Sequence, residues 1–370
     1  MTLDLTPERR DLLSVASALL DARAPLGLAR EFLEERGDAA ELWGAMAGAG
    51  WYGVGLAEDD PFGVTGLCLL AWECGEHAAP TPLVDTAVAA RLAAGVPAAS
   101  ALAAGDATAA LAALEGEHDW QLTDPTTVLR AGRLTGTKLA VRHAGAVDLL
   151  AVVADTQAGI AVAFVPPAAP GVTVEPGPGL DPASAVCRVV FDGAPVAEDA
   201  VLGGPAARDQ LDAALAVGTI ATAAEGLGAA SRALTMAVDY AQDRRQFGRP
   251  IGSFQALQHL MAEAHVEREV AWATVLGAAG ELDAQAAGAE AAVSLAKALA
   301  SRASRAVVEA SLQVHGGIAF TWEHDVHLLQ RRVLECERRF GDAIHHERIQ
   351  GELIAERATA ALQSAAPSAA

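Results

Sequence analysis

The chain has 370 residues, 52% of them hydrophobic, and 47 acidic against 26 basic side chains give a formal net charge of -21. That length suffices for two or three packed units, and that share of apolar side chain for a sizeable core. The acidic balance argues against a nucleic-acid partner and against a polybasic membrane anchor, because both need a basic face.

The first residues, "MTLDLTPERRDLL", lack a signal-peptide layout: acids come at once and no apolar run follows. The four cysteines, Cys68, Cys74, Cys187 and Cys336, include no C-x-x-C pair. Reduced thiols and a cytoplasmic location are therefore expected. Residues 1–105 read as an N-terminal helical domain. Thr6 is a candidate N-cap, Pro7 takes the first helical position, and Leu12, Leu13, Ala16, Leu19 and Leu20 recur at helical spacing. Further helices are expected around 34–49, 66–76 and 82–94, with "GLAEDDPFG" as a loop.

Residues 106–203 change texture. Short runs rich in Val, Ile and Thr are punctuated by Gly, Pro and Asp, as in "RLTGTKLAVRHA" and "GIAVAFVPP". No long helix is interleaved, so an antiparallel barrel or sandwich is expected. The most apolar stretch, "DLLAVVADTQAGIAVAFVPP", is broken by Asp155, Gln157 and Gly159 and reads as two strands and a turn, not a membrane span.

From 204 to 358 the chain reads as long Ala-rich helices, about 209–243, 254–282, 286–315, 324–338 and 342–357, packed as a bundle. Gly316-Gly317 stops the third. Residues 359–370 read as a flexible tail. Between the first two helices, "DRRQFGRPIGSF" gathers Arg244, Arg245 and Arg249 in an otherwise acidic chain. His324 and His327 stand three apart and His345 and His346 are adjacent, but no Cys or carboxylate joins them at ligand spacing; a polar helix face is expected there, and no metal.

With "DRRQFGRPIGSFQALQHLMAE", "LQVHGGIAFTWEHDVHLLQRR", "LTGTKLAV" and "CRVVFDGAPV" in this order, the chain resembles the acyl-CoA dehydrogenase family. The resemblance implies an α+β fold: an N-terminal helical domain, a middle antiparallel β domain and a C-terminal four-helix bundle. It also implies FAD lying across a subunit interface, with the neighbouring subunit contacting its ADP half. Arg244 matches the arginine that pairs with the pyrophosphate, a task for a permanently charged, bidentate guanidinium. Gln246 and Phe247 match flavin-contacting positions, and Gln313, Gly316 and Gly317 match the segment bordering the ADP half. Taken singly, an arginine at a helix end is a solvated dipole partner and a Gly-Gly a helix stop. Taken with the surrounding matches, the cofactor reading is favoured.

The departures from the family matter as much. The strand that normally holds the flavin ring corresponds to "ALAALEGEHDWQLTD", Ala110 to Asp124, where Glu115 and Gly116 are the remnants. The next ring-lining stretch is "LAVRHA", Leu139 to Ala144, now carrying Arg142 and His143. The catalytic Glu is expected at Phe340 or, in a minority of the family, at Gly218; neither accepts a proton. Glu225, Glu337, Asp342 and His345 are the nearest substitutes, and surface or interface roles are favoured for all four. The resemblance thus implies a non-catalytic subunit whose FAD is shared with a homologous subunit carrying the catalytic Glu. An acyl-CoA, in the related branch a steroid side-chain ester, is the implied substrate. Electron-transfer flavoprotein is the implied redox partner. A self-sufficient homo-oligomer with a displaced base and a non-enzymatic assembly subunit are the alternatives.

Overall fold

The computed structural model describes residues 5–56, 60–116, 120, 122 and 124–365, the side chains of 357, 358 and 360–365 excepted. The N-terminal part holds α1 (Pro7–Arg23), α2 (Leu26–Leu33), α3 (Ala40–Gly48), α4 (Gly63–Glu76), α5 (Leu83–Leu92) and the short α6 (Ser100–Ala103). Thr6 caps α1 by accepting the Arg9 N–H, with Pro7 at the first helical position. The helix expected over 34–49 starts only at Ala40. Glu35 takes a left-handed φ of 59°, and Asp38 accepts the Ala40 N–H, so the chain turns before it coils.

Eight strands follow: β1 (Ala109–Ala112), β2 (Val128–Arg130), β3 (Arg133–Arg142), β4 (Leu149–Thr156), β5 (Gly159–Val165), β6 (Val172–Pro176), β7 (Val186–Pro195) and β8 (Val201–Leu202). The sheet is mixed. It runs β6-β7-β3-β2-β4-β5-β8 with β1 on β4, and both β1–β4 and the single β2–β4 pair are parallel, where an all-antiparallel domain was expected. Period-two alternation accounts for the apolar run in β4 and β5. Ala151, Val153, Val162 and Phe164 enter the core shared with the helices, while Leu150, Val152, Ala163 and Val165 enter a second core inside the β part.

The C-terminal helices are α7 (Ala207–Asp243), α8 (Gln255–Asp283), α9 (Ala289–His315), α10 (Val326–Arg338) and α11 (Ala343–Ala365), with a small hairpin, β9 (Arg245–Gln246) and β10 (Arg249–Pro250), between the first two. These helices stand where the five helical pieces of the bundle were expected, and α11 runs past 358; residues 366–370 of the expected tail lie outside the described residues. By length and composition α7 could cross a membrane, but 83% of its most apolar window is buried inside the fold. The four cysteines are unpaired.

The crossing of α4 and α7 depends on glycine. A Cβ at Gly75 would lie 1.9 Å from the Glu225 carbonyl oxygen, and one at Gly228 would lie 2.0 Å from that of Trp72. Neither backbone can yield. Gly228→Ala is therefore expected to destabilise by about 1–3 kcal/mol or more through overpacking, despite a helix-propensity gain of about 1 kcal/mol. Denaturant unfolding gives the sign, and an unchanged midpoint would refute the close crossing.

Candidate functional site

The hairpin and the α9 terminus come together at one end of the bundle. α7 and α9 both end there and α8 begins there, joined by the small cluster of Ala237, Ala241 and Val314 with Ile251 and Leu257. Arg244 closes α7, its N–H donating to the Tyr240 carbonyl at 2.8 Å. Arg244, Arg245, Gln246, Phe247 and Arg249 are all exposed, as are Gln313 and Gly317. Among the described residues the guanidinium groups of Arg244 and Arg245 have no carboxylate partner, whereas Arg249 lies over the Phe254 ring at 4.0 Å. A Cβ built at Gly248, Gly316 or Gly317 would meet nothing within 4 Å, and Gly316 takes a left-handed φ of 66° that favours glycine. Unspent arginine donors beside open backbone suit a diphosphate. This end of the bundle therefore fits the ADP half of FAD.

The hairpin turn supports a presenting role for Phe247. Phe247 and Gly248 have φ of 52° and 80°, the two positive values of a type I′ turn, in which Asn-Gly is the preferred pair. A phenylalanine there is strained, and its side chain is 90% exposed. Phe247→Asn is expected to leave stability unchanged or raise it by up to about 1 kcal/mol. It should still weaken flavin retention in a complex. A large loss of stability would show that packing on Phe254, 6.1 Å away between ring centroids, holds the ring in place instead.

At the expected base positions the structure brings two distant segments together. Phe340 is buried, with a left-handed φ of 56°, and its ring tip fills the place of a Gly218 side chain: a Cβ there would lie 2.7 Å from Phe340 Cζ. Trp120 packs over the Phe340 ring at 4.8 Å, and the Arg339 guanidinium lies 4.7 Å from its centre. Buried groups hold the loop. Lys297 Nζ donates to the Cys336 carbonyl at 2.5 Å and to that of Glu337 at 3.3 Å, and burial lowers its pKa to about 8. His346 Nε2 is 2.9 Å from the Phe340 carbonyl, and its Nδ1 is 3.0 Å from Ser294 Oγ. Among the described residues no carboxylate lies in the Gly218–Phe340 contact, which the Phe340 and Trp120 rings close.

Three of the four substitute bases are committed elsewhere; the fourth, His345, lines a cavity beside Phe340 and Trp120. Glu225, for which a surface or interface role was expected, is instead buried inside the chain: it is 2% exposed and held by Arg332 Nη1 at 2.9 Å and Arg142 Nη2 at 3.5 Å. Burial pushes its carboxyl up, but Arg142, Arg332 and Arg339 outweigh burial and hold it below the ordinary range. Glu337 is paired with Arg305 at 2.5 Å, and Asp342 accepts the His345 N–H at 2.8 Å at the start of α11. Glu115, the remnant of the ring-holding strand, is also structural: it accepts Lys138 Nζ and Thr126 Oγ1, both at 2.6 Å. His118, Asp119 and parts of the stretch around them lie outside the described residues.

A cavity of about 440 Å³ lies between the sheet and α10, walled by Leu114, Leu139, Ala140, Arg142, Glu335 and Arg339 among others. The β3–β7 register shifts between Lys138 and Val141, and Ala140 takes a φ of 53°, so a bulge opens β3 toward this space. Leu139 and Ala140 offer hydrocarbon, and no hydroxyl or amide side chain stands among the described lining residues. Behind the wall, sequence reasoning missed a cluster of seven charges. Arg332 is fully buried. It donates to Asp181 at 2.5 Å, to Glu225, and to the Ala78 and Ala79 carbonyls at 3.1 and 3.0 Å. Arg142 also meets Glu335 at 3.3 Å, and Arg339 bonds Asp85.

The family model described as "Acyl-CoA dehydrogenase, C-terminal domain" matches residues 209–362. Acyl-CoA dehydrogenase FadE27 of Mycobacterium tuberculosis is 30% identical over 383 residues, covering 96% of this chain and 99% of that protein. Acyl-CoA dehydrogenase IpdE2 of Mycolicibacterium smegmatis is 49% identical over 110 residues, a match that spans only 33% of its own length. Among solved structures, a chain of the ChsE4–ChsE5 complex from Mycobacterium tuberculosis superposes with a TM-score of 0.84 at 28% identity, over 96% of this chain and 99% of that one. A chain of the Tcur3481–Tcur3483 steroid ACAD does so with a TM-score of 0.83 at 31% identity, over 95% of this chain and 99% of that one. Likeness to FadE27 runs almost the full length of both proteins, and the fold is shared with the ChsE4–ChsE5 chain, so this chain belongs to the acyl-CoA dehydrogenase family.

Proposed function

We propose that this chain is the non-catalytic subunit of a heteromeric, FAD-dependent acyl-CoA dehydrogenase that desaturates an acyl-CoA between Cα and Cβ. The observation that carries the reading is the contact of Phe340 with Gly218: both places where the family sets its base meet at one point, and apolar groups fill it. FAD, when bound in the complex, supplies the hydride acceptor. This chain contributes Arg244 to the diphosphate, Gln246 and Phe247 to the flavin side, and Gln313, Gly316 and Gly317 to the ADP half. A homologous subunit carrying the catalytic Glu supplies proton abstraction. The likeness to the Tcur3481–Tcur3483 steroid ACAD supports a steroid side-chain CoA ester as substrate. A cytoplasmic location and electron-transfer flavoprotein as electron acceptor complete the proposal.

The test is the visible spectrum. Expressed alone, the chain is expected to be colourless and inactive. Co-expressed with a homologous subunit that carries the Glu, it is expected to yield a yellow complex bleached by acyl-CoA. A reducible flavin in the chain alone, bleached by any acyl-CoA, would overturn the reading in favour of a self-sufficient enzyme.

A further inference from the structure

Three rings from three separate segments meet behind the exposed cofactor-facing end. Tyr240 of α7 stacks on His315 of α9, with ring centroids 5.0 Å apart and planes 29° from parallel. His324, from the loop before α10, meets His315 edge-on at 4.4 Å and Tyr240 at 6.4 Å. The two histidine rings are each tied to their own element. His315 Nδ1 is 2.7 Å from the Ser311 carbonyl one turn back, and His324 Nδ1 accepts the Val326 N–H at 3.2 Å, at the start of α10. Tyr240 gives its carbonyl to the Arg244 N–H. His315 itself immediately precedes Gly316, where the chain leaves the helix.

We infer that Tyr240, His315 and His324 are positioning residues that set the spacing between Arg244 and the Gly316–Gly317 turn, the two halves of the diphosphate grip. The inference rests on the proposed function. The rings themselves need not touch the cofactor; His315 is only 4% exposed. Arg244 follows Tyr240 by one helical turn and Gly316 follows His315 directly, so the stacked pair fixes two helix ends against each other. Beside the stack, the contact at these two helix ends is apolar: Ala237, Ala241 and Val314, with Ile251, Leu257, Leu260 and Met261 packed against them. A two-sided anion grip is sensitive to spacing, because both sets of donors must reach the phosphate oxygens at once.

The experiment uses the co-expressed complex and follows the rate of FAD release by its fluorescence, beside thermal unfolding. Tyr240→Leu and His315→Leu are expected to speed release about three- to tenfold, while Tyr240→Phe, which keeps the ring, stays within about twofold. The decisive measurement is a double-mutant cycle with Arg244→Ala. If Tyr240 acts through the arginine, adding Tyr240→Leu to Arg244→Ala changes release little further. Full additivity, or an unchanged release rate in Tyr240→Leu, overturns the inference. Arg244→Ala alone reports on the proposed function: if that variant keeps its flavin, the parent reading fails, whatever Tyr240 does.

Discussion

Arg332→Ala is expected to lower the unfolding free energy by about 3–5 kcal/mol, the largest effect on stability of any substitution considered. The guanidinium is fully buried and ties three parts of the chain at once: the Ala78 and Ala79 carbonyls after α4, Asp181 from the β part, and Glu225 of α7. Removing it leaves two carboxylates and two carbonyls without that donor in a place water does not reach. The cost is mostly that of stranded partners, not of a lost attraction. The exposed pair Arg302–Glu347, with side chains 58% and 45% exposed, provides the contrast: Arg302→Ala is expected to cost no more than about 1 kcal/mol. Equal midpoint shifts for the two variants in denaturant would refute the account of the buried cluster.

Arg244→Ala is expected to weaken the complex's hold on flavin while leaving its assembly, and the thermal midpoint of the flavin-free complex, unchanged. The side chain is exposed and has no carboxylate partner among the described residues, so truncation strands nothing within this chain. A charge-assisted, bidentate contact to phosphate contributes about 1.5–3 kcal/mol, or roughly ten- to a hundredfold in affinity. Arg244→Lys should recover only part of this, because an ammonium keeps the charge and loses the fork. Absorbance at the flavin band after gel filtration reads the outcome. A complex that keeps full flavin in Arg244→Ala would favour a role for this chain in assembly alone.

Much of the architecture was legible because it rests on local rules. The Thr6–Pro7 cap, the helical spacing of α1 and α7–α9, and the period-two strands each follow from near neighbours in sequence. The misreadings are equally physical. The helix over 34–49 was drawn through Glu35, whose left-handed conformation periodicity does not signal. The parallel β1–β4 pair depends on where a four-residue strand lands, which its own composition leaves open.

The sequence by itself determined the order of helical, β and helical parts. It also located the arginine-bearing turn at Arg244–Arg249 and the lack of a carboxylate at Phe340 and Gly218, since these are matters of which residue stands where. Only the tertiary structure decided what those residues do together. Gly218 and Phe340 prove to be one site because α7 and the loop after α10 pack in contact. Glu225 ceases to be a candidate base because three arginines from distant positions surround it. Tyr240 and His315 become a stack because two helices end side by side. Each of these contacts joins residues far apart in the chain, and no local preference encodes a contact whose partner is set by the packing of whole helices.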